Sequence, residues 1–444
     1  MSYLPPTVES PPWWQLMRWI ADPLALQAEC AQTYGDTFKL QLGKLGAFFI
    51  IGNPQGVQEI FSQDPSQFDV GRGNQLAEAL VGSNSLLLAD GARHQRDRKL
   101  LMPPFHGERL QTYAHLIAQI TRQVANQWQP GRGFIARTAM QHITLEVILQ
   151  VVFGLHEGQR YQRLKSSLAE LLDLTNSPLR SSLLFFKVLQ KDWGPLSPWG
   201  WFQRRKQEID GLLQDEIDAR RAQFDSERQD VLSLMLVAQD ETGQGMSDQV
   251  LKDEMITLLF AGHETTATTL AWALYEIHRH PTVKDKLGHE IESLGDDADP
   301  IAIARLPYLT AVCQEVLRRY PVIPILFPRI AKVPMTLMGY DFEPEMVLAP
   351  SAYLVHYQEA LYPNAHQFQP DRFLARQYAP HEYFPFGGGN RRCLGYALAQ
   401  LEMKLVVATV LSGYPLALNE TAHVKPQRRG FTLSPEGGVK MRLS

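Results

Sequence analysis

The sequence predicts a mainly α-helical fold with a minor β part. Apolar residues recur at helical spacing over most of 91–225 and again over 248–280, where Pro281 ends the pattern. The alternation typical of a β-strand is confined to short segments such as 37–42. Because the short strands are scattered among the helices, we expect a single domain over residues 1–444.

The composition excludes several classes of protein. The 444 residues are 45% hydrophobic and 20% charged, which favours a large packed core over disorder. A net charge of −4 does not suggest nucleic-acid binding. No segment reaches the roughly 18 apolar residues of a membrane span, so no transmembrane anchor is expected. The three cysteines are far apart in the sequence and form no disulfide pattern, which favours a reducing compartment, the cytoplasm.

Elements are expected in the following order over the first ninety residues: a lead segment (1–20), a helix (22–34), strands (37–42 and 47–51), a helix opened by Asn53 and Pro54, and a long loop (65–90). The lead segment carries an apolar patch that includes Trp13 and Trp14. We expect this patch to pack on the body of the protein rather than on a membrane, because it contains few basic residues.

The remaining elements follow from the same patterns. Over 91–225 we expect mainly helices, with breaks at 103–104, 130–131 and 154 and an apolar break at 175–200. Beyond them we expect helices at 248–280 and 305–320, short strands and turns over 331–356, and a hairpin over 431–443.

The most informative stretch is 384–395, Phe-Pro-Phe-Gly-Gly-Gly-Asn-Arg-Arg-Cys-Leu-Gly, which precedes a strong helical pattern. Cys393 therefore lies at a helix N-terminus, where free N–H groups and partial positive charge favour the thiolate. A lone cysteine is a poor zinc site but a reasonable axial ligand for haem iron. The alternative is a buried free cysteine, as we expect for Cys30 and Cys313.

The pattern Phe386-Gly-x-Gly-x-Arg391-x-Cys393-x-Gly395 resembles the haem-binding signature of the cytochrome P450 family, with every family position filled. The resemblance implies haem b with the Cys393 thiolate as axial ligand, bordered by Phe386 and Gly395. It also implies the family fold, a triangular helical prism with small antiparallel sheets.

A second motif interrupts the long apolar pattern of 248–280. Ala261-Gly-x-Glu264-Thr265-Thr266 is similar to the oxygen-activation motif of the same family. The resemblance implies that the haem lies flat on Ala261, that Thr265 holds oxygen and water, and that Glu264 relays protons. The alternative is a bent core helix whose threonine hydroxyls bond back to carbonyls. His263 occupies a variable position and is expected to be structural.

Glu315 and Arg318 lie three residues apart on one face of the predicted helix at 305–320. An exposed pair of this kind contributes little to stability. The pair nevertheless resembles the Glu-x-x-Arg element of the family, and Arg372 lies in a segment similar to its Pro-x-Arg-Phe element. The resemblance implies that these three residues brace the cysteine loop and take no part in chemistry.

Haem carries two propionates, so basic partners are required. By position relative to the family motifs, the candidates are His94, Arg98, Arg329 and Arg391. The alternative for the basic segment around Arg98 is a solvated helix face.

The family draws substrate contacts from five places in the chain, and the residues there are overwhelmingly apolar. They are Leu86, Leu87, Leu183, Phe185, Phe260, Val322, Ile325, Leu326 and Phe431. Core packing is the alternative for each one. Together they favour a lipophilic substrate such as a fatty acid, a terpenoid or a similar lipid.

The resemblance implies a haem-thiolate monooxygenase that hydroxylates this substrate with O₂. Nothing in the sequence resembles a flavin, nicotinamide or iron–sulfur domain, so we expect a ferredoxin-type donor with its NAD(P)H-dependent reductase. We expect a monomer. The alternatives are a peroxygenase or hydroperoxide isomerase, whose members tend to lack the Glu-Thr pair, and a non-catalytic haem sensor.

Overall fold

The computed structural model describes residues 3–173, 190–192, 194, 197–295, 297–419, 423–429 and 432–444. Helices dominate these residues, which confirms the predicted fold class. The helices of the described ranges are α1 (Pro12–Ala21), α2 (Pro23–Tyr34), α3 (Pro54–Ser62), α4 (Val70–Gly73), α5 (Glu78–Val81), α6 (Gly91–Leu101), α7 (Arg109–Ala125), α8 (Ala136–Val147), α9 (Gly158–Asp173), α10 (Pro198–Ala222), α11 (Val231–Val237), α12 (Asp248–Arg279), α13 (Pro281–Glu292), α14 (Pro300–Ala304), α15 (Pro307–Arg319), α16 (Ala352–His356), α17 (Asp371–Ala375) and α18 (Tyr396–Gly413).

Short strands form the minor β part. Their bounds are β1 (Thr37–Gln41), β2 (Ala47–Ile51), β3 (Phe68–Asp69), β4 (Gly133–Ile135), β5 (Arg329–Ala331), β6 (Met335–Leu337), β7 (Tyr340–Phe342), β8 (Val347–Pro350), β9 (Leu416–Leu418), β10 (Pro426–Arg429), β11 (Thr432–Pro435) and β12 (Lys440–Leu443). The largest sheet has the order β1-β2-β8-β5-β3, and smaller sheets pair β6 with β7, β10 with β11, and β12 with both β4 and β9. The pairing is antiparallel except between β2 and β8, which run parallel.

Local capping explains why the first elements begin where the sequence predicts. The Asp22 side chain accepts a hydrogen bond from the Ala25 N–H and starts α2. Asn53 accepts from the Gln55 N–H and starts α3 ahead of a proline at its first position. These two helices flank β1 and β2, so the predicted helix–strand–strand–helix order is confirmed.

Two predicted elements were wrong. The segment 65–90 is not one long loop, because it contains β3, α4 and α5. The segment 431–443 is not a hairpin, because β11 pairs with β10 whereas β12 pairs with β4 and β9. Gly437 and Gly438 both have positive φ values between β11 and β12 and turn the chain toward a different sheet.

Helix α12 runs through the main apolar core and positions the candidate site. Trp272 and its neighbours on both sides have no accessible surface. The helix packs against α8 on one side and against α18 on another. Because α18 directly follows Cys393, this packing fixes the cysteine loop relative to the Ala261–Thr266 motif.

The lead segment is only partly packed on the body, contrary to prediction. Leu16 and Trp19 pack against a small apolar cluster near β1. The other large apolar side chains of α1 are exposed: Trp13, Trp14, Met17 and Ile20. No helix in the described ranges is both long and apolar enough to cross a membrane.

Candidate functional site

The cysteine loop is closed by its own backbone. The Cys393 N–H donates to the Phe386 carbonyl over 2.9 Å. Within this loop a Cβ atom on Gly388 would lie 2.2 Å from the ring of Phe61, so only glycine fits there. Gly389 has a φ of +63°, which other residues rarely adopt. The glycines therefore shape the loop against α3 and present Cys393 at the entrance to α18.

Cys393 has accessible surface although protein atoms surround it closely, as expected for a group that borders an internal space. Burial raises the pKa of its thiol, while the Gly395 N–H and the charges of Arg98 and Arg392 act in the opposite direction. The expected helix N-terminus effect is therefore present but outweighed by burial. A bound metal cation would reverse this balance, because a coordinating thiol loses its proton. Cys30 and Cys313 are buried elsewhere in the fold, as predicted.

The Ala261–Thr266 motif presents one accessible face in the middle of α12. Ala261 is exposed although the helix around it is largely buried. Thr265, one turn later on that face, donates its hydroxyl to the Ala261 carbonyl over 2.5 Å. Gly262 lies on the other side, where a Cβ would be 3.4 Å from Ile148. The small residue that opens the accessible face is thus Ala261, and Gly262 serves helix packing.

Glu264 is turned toward α8. Arg137 donates to its Oε1 from Nη2 over 2.5 Å, and Gln141 donates to its Oε2 over 2.9 Å. The Thr268 hydroxyl also donates to Oε1, over 3.2 Å. His263 contacts the Thr144 hydroxyl at 2.8 Å, which agrees with the structural role predicted for it. The carboxylate of Glu264 is therefore held by several donors between α8 and α12.

The four predicted propionate partners converge in the structure. His94 is buried, and burial together with the charges of Arg391 and Arg98 lowers its pKa to about 3, so it is neutral. The charge of Arg391 also acts on Arg329, and that of Arg98 acts on Arg391. Residues from α6, β5 and the cysteine loop thus form one basic cluster.

Among the described residues, this basic cluster has one paired carboxylate, that of Asp90, for its three arginines. Arg329 is 5% exposed, and within the described ranges its hydrogen-bond partners are the carbonyls of Ile60 and Gly388. Burial lowers its pKa to about 10. Arg391 pairs with Asp90, but its Nε is buried and has no acceptor in the part of the chain that the structure describes, so this N–H is unsatisfied there. Buried charges are normally paired, so the cluster fits the two carboxylates of a haem beside Cys393.

The Arg329→Gln variant is expected to have opposite effects on the two forms of the protein. Haem affinity should fall about tenfold to a hundredfold, because charge-assisted hydrogen bonds to a carboxylate are lost. The free energy of unfolding of the haem-free protein should not fall, because a buried unpaired cation is removed. Haem titration and denaturant unfolding of both forms measure these effects. The exposed Arg305→Gln is the control, and equal loss of stability in both forms would contradict the assignment.

The three residues predicted to form a brace are joined through Glu315, and the Glu315–Arg318 pair is buried. Glu315 and Arg318 have no accessible surface and are joined by two hydrogen bonds of 2.7 and 2.9 Å. Arg372 donates to Glu315 Oε1 over 3.2 Å. Arg318 also donates to the carbonyls of His356 and Ala365, both over 2.8 Å. The brace therefore ties α15 to α16 and to the segment that leads into the cysteine loop.

His356 links this brace to the cysteine loop. Its Nε2 accepts the backbone N–H of Phe384 over 3.1 Å. Burial and the charge of Arg318 lower its pKa to about 3, which keeps Nε2 free to accept. Tyr383 adds a second link through its hydroxyl, which donates to the Gln314 carbonyl over 3.0 Å. A change in the brace should thus reach the loop through two hydrogen bonds.

The predicted substrate residues do not all lie in one place. Leu86, Leu87 and Phe260 are half-buried and pack against the main core beside α12. The Leu326 side chain lies beside Gly387 of the cysteine loop and packs with the apolar cluster near α3. The remaining positions are a buried Val322, an Ile325 that packs against the cluster near β1, and Leu183, Phe185 and Phe431, which lie outside the described residues. Core packing is the better explanation of Ile325.

Several residues of the site have no local signal in the sequence. Arg137 and Gln141 hold Glu264 from more than a hundred residues away. The Phe61 ring occupies the place of a side chain at position 388. His356 joins the brace to the cysteine loop. Only Asp90 could have been found, because it precedes the basic segment at the start of α6 and pairs with Arg391.

Comparison with known proteins places this arrangement in a family. The sequence profile of the cytochrome P450 family matches residues 5–441. Cytochrome P450 135B1 of Mycobacterium tuberculosis is 34% identical over 421 residues, which cover 93% of this chain and 86% of that protein. Cytochrome P450 138 of the same organism is 31% identical over 439 residues, covering 99% of this chain and 96% of that protein.

Solved structures agree on the fold. Cyanobacterial CYP120A1 with bound retinoic acid has a TM-score of 0.84 and 24% identity, and each chain is covered completely. CYP102L1, another cytochrome P450, also has a TM-score of 0.84 and 24% identity, with 100% of this chain and 99% of that chain covered. The chain therefore belongs to the cytochrome P450 family, monooxygenases that hold haem iron through a cysteine thiolate, here that of Cys393.

Proposed function

We propose that this monooxygenase hydroxylates a lipophilic small molecule. In the overall reaction, the substrate, O₂, two electrons and two protons give the alcohol, in which a C–H bond has become C–OH, and one molecule of water. The observation that carries the proposal is the accessible face of α12, where the Thr265 hydroxyl lies one turn from Ala261. A protein that only bound haem would need no polar group on this face.

The haem, when bound through Cys393, supplies the oxygen-activating chemistry, and its thiolate ligand favours O–O cleavage. In this proposal Thr265 holds oxygen and water by exchanging its hydrogen bond to the Ala261 carbonyl for one toward the site. Glu264 relays protons to that position. Because Arg137 and Gln141 hold the carboxylate in the described arrangement, relay requires the side chain to leave them.

Apolar residues near α12 support the proposed substrate class. Leu86, Leu87 and Phe260 offer no charged group, which supports a lipid such as a fatty acid or a terpenoid. CYP120A1, which shares the fold, has retinoic acid bound. A ligand screen that compares retinoic acid with long-chain fatty acids by the shift of the haem spectrum would order these candidates.

We further propose that electrons come from a ferredoxin-type donor and its NAD(P)H-dependent reductase. The family requires an electron source, and no flavin, nicotinamide or iron–sulfur pattern occurs in the 444 residues. We propose one domain over residues 1–444, a monomer in the cytoplasm. The interleaved sheets, in which β12 pairs with β4, support the single domain.

The Thr265→Ala variant tests the oxygen chemistry. With ferredoxin, reductase and NAD(P)H, product formation should fall about tenfold or more while NAD(P)H consumption continues and peroxide accumulates. Thr269→Ala, on the same helix but with its hydroxyl bonded to the backbone carbonyl of Thr265, is the comparison for a general effect of losing a hydroxyl. A protein that forms product only with added peroxide would be a peroxygenase, and this result would reject the proposal.

A further inference from the structure

Residues 82–90, called here the bridging loop, connect the two sides of the site. At one end the loop contacts α12 one to two turns before Ala261. At the other end Ala89 and Asp90 contact Arg391 in the cysteine loop. The bridging loop therefore walls one side of the space between α12 and Cys393.

Buried carboxylates of α12 hold the first half of the loop. Asp253 Oδ2 accepts hydrogen bonds from the backbone N–H and the side-chain amide of Asn84, both over 3.0 Å. Glu254 Oε1 accepts the Leu86 N–H over 2.6 Å. Asp253 is 4% exposed and Glu254 is 1% exposed, so water does not compete for these bonds.

Gly82 shows that this contact is built into the backbone. Its φ is +87°, and a Cβ there would lie 2.2 Å from the Asp253 carboxyl carbon. Any other residue at position 82 would push the loop away from α12. The Thr257 hydroxyl adds a bond of 2.8 Å to Ser85.

In the second half of the loop, the carboxylate belongs to the loop itself and the cation belongs to the cysteine loop. Asp90 accepts the N–H groups of Val70 and Gly71, over 3.1 and 2.8 Å, and pairs with Arg391. Arg391 also donates to the Ala89 carbonyl over 2.6 Å. The loop is thus tied at both ends, with the side chains of Leu86 and Leu87 between the ties.

We propose that Asp253 and Glu254 are positioning residues that clamp the bridging loop shut, so that the loop slows the access of large ligands to the haem more than that of small ones. This inference depends on haem at Cys393 but on neither the proposed oxygen chemistry nor the proposed substrate. Ligand exchange measured without electrons or O₂ activation therefore tests it separately.

The clamp should weaken as pH rises. Burial, with Asp97 and Asp253 nearby, raises the pKa of Glu254 from 4.5 to about 8. The carboxyl is thus protonated when the loop is closed and ionises at lower pH when the loop opens into water. Opening is therefore least favoured below the ordinary pKa and becomes easier up to about pH 8. Other charged groups around the clamp are Arg93 and Asp97 on α6, Lys206 and Asp210 on α10, and Lys252 and Asp253 on α12.

The test is stopped-flow binding of 4-phenylimidazole and imidazole to the ferric holoenzyme. Asp253→Ala should raise both the association and the dissociation rate of 4-phenylimidazole about tenfold, as expected for loss of about one or two buried hydrogen bonds. Imidazole, which is smaller, should change less. Hydrogen exchange at the Asn84 and Leu86 amides should accelerate in the same variant. The imidazole ring of both ligands also titrates in this pH range, so each association rate is calculated per concentration of neutral ligand. The corrected rate of the wild-type protein should rise between pH 5 and about pH 8, and Glu254→Gln should remove this rise.

Matched variants separate a clamp from a general loss of structure. Asp248→Ala removes a carboxylate of the same helix that bonds Gln214 and Arg221, and should leave ligand exchange unchanged. Gly82→Ala should reproduce Asp253→Ala, whereas Gly35→Ala, with φ +89° and no atom within 4 Å of its Cβ, should not. If Asp253→Ala does not fold, the comparison of Gly82→Ala with Gly35→Ala tests the proposal in its place. Unchanged 4-phenylimidazole rates, or equal changes for both ligands, would overturn the proposal.

Discussion

The Cys393→Ser variant is expected to lose the thiolate-dependent spectrum and product formation together. Serine removes the sulfur but keeps the loop, which is closed by the backbone hydrogen bond from the Cys393 N–H to the Phe386 carbonyl. Loss of the axial ligand should exceed the roughly 10- to 100-fold effect of altering a residue that only supports a metal ligand. Turnover should therefore fall by more than about 100-fold. The measurement is the Soret band of the reduced CO complex in freshly prepared protein, followed by turnover.

The other two cysteines provide internal controls for this experiment. Cys30 and Cys313 are buried, and burial raises the pKa of each thiol, to about 11 and about 12 respectively. Cys30→Ala and Cys313→Ala should keep the spectrum of the wild-type protein and lose at most a small part of the unfolding free energy. A thiolate spectrum that persists in Cys393→Ser, or disappears in Cys313→Ala, would show that Cys393 is not the ligand.

The Glu315→Ala and Arg318→Ala variants are expected to have the largest effects on stability. Each removes one partner of an ion pair with no accessible surface and leaves the other charge buried. The expected cost is about 3–5 kcal/mol in the free energy of unfolding. Denaturant unfolding of the holoenzyme measures it. Haem retention should fall in parallel, because Arg318 bonds the His356 carbonyl and His356 bonds the Phe384 N–H.

Two comparisons sharpen this second prediction. Lys99→Ala breaks an exposed pair with Glu241, whose side chains are 72% and 84% exposed, and should cost at most about 1 kcal/mol. The double variant Glu315→Gln/Arg318→Met should be less destabilised than Glu315→Ala, because Arg372 alone then loses its carboxylate partner, whereas Glu315→Ala deprives both Arg318 and Arg372 of theirs. If Arg318→Ala were as mild as Lys99→Ala, the brace would not support the loop.

The sequence predicted the elements whose signals are local. Asn53-Pro54 marked the start of α3, and Pro281 marked the end of α12, because capping and proline act within one turn. The prediction of a hairpin over 431–443 was wrong because strand pairing is not decided by local signals. Which strand pairs with β11 depends on whether β10 or β12 can reach it, and that choice is made by the packing of distant segments.

The site shows the same division at the level of single side chains. Sequence spacing put Glu315 and Arg318 on one helix face, where an exposed pair would contribute little, and only the family resemblance indicated a brace. The structure buries both, and burial changes the expected effect of their loss from slight to severe. For Glu264, the motif indicated a proton relay, and only the packing of α8 on α12 revealed Arg137 and Gln141 as its partners.

The sequence alone thus determined the mainly helical fold, the family motif around Cys393 and the identity of the basic residues near it. These features depend on residue type and on spacing along the chain. Only the tertiary structure decided that the Arg329 charge is buried without a carboxylate partner among the described residues, and that Asp253 and Glu254 hold the bridging loop. Such contacts join segments more than fifty residues apart, and their strength depends on exclusion of water, which packing alone provides.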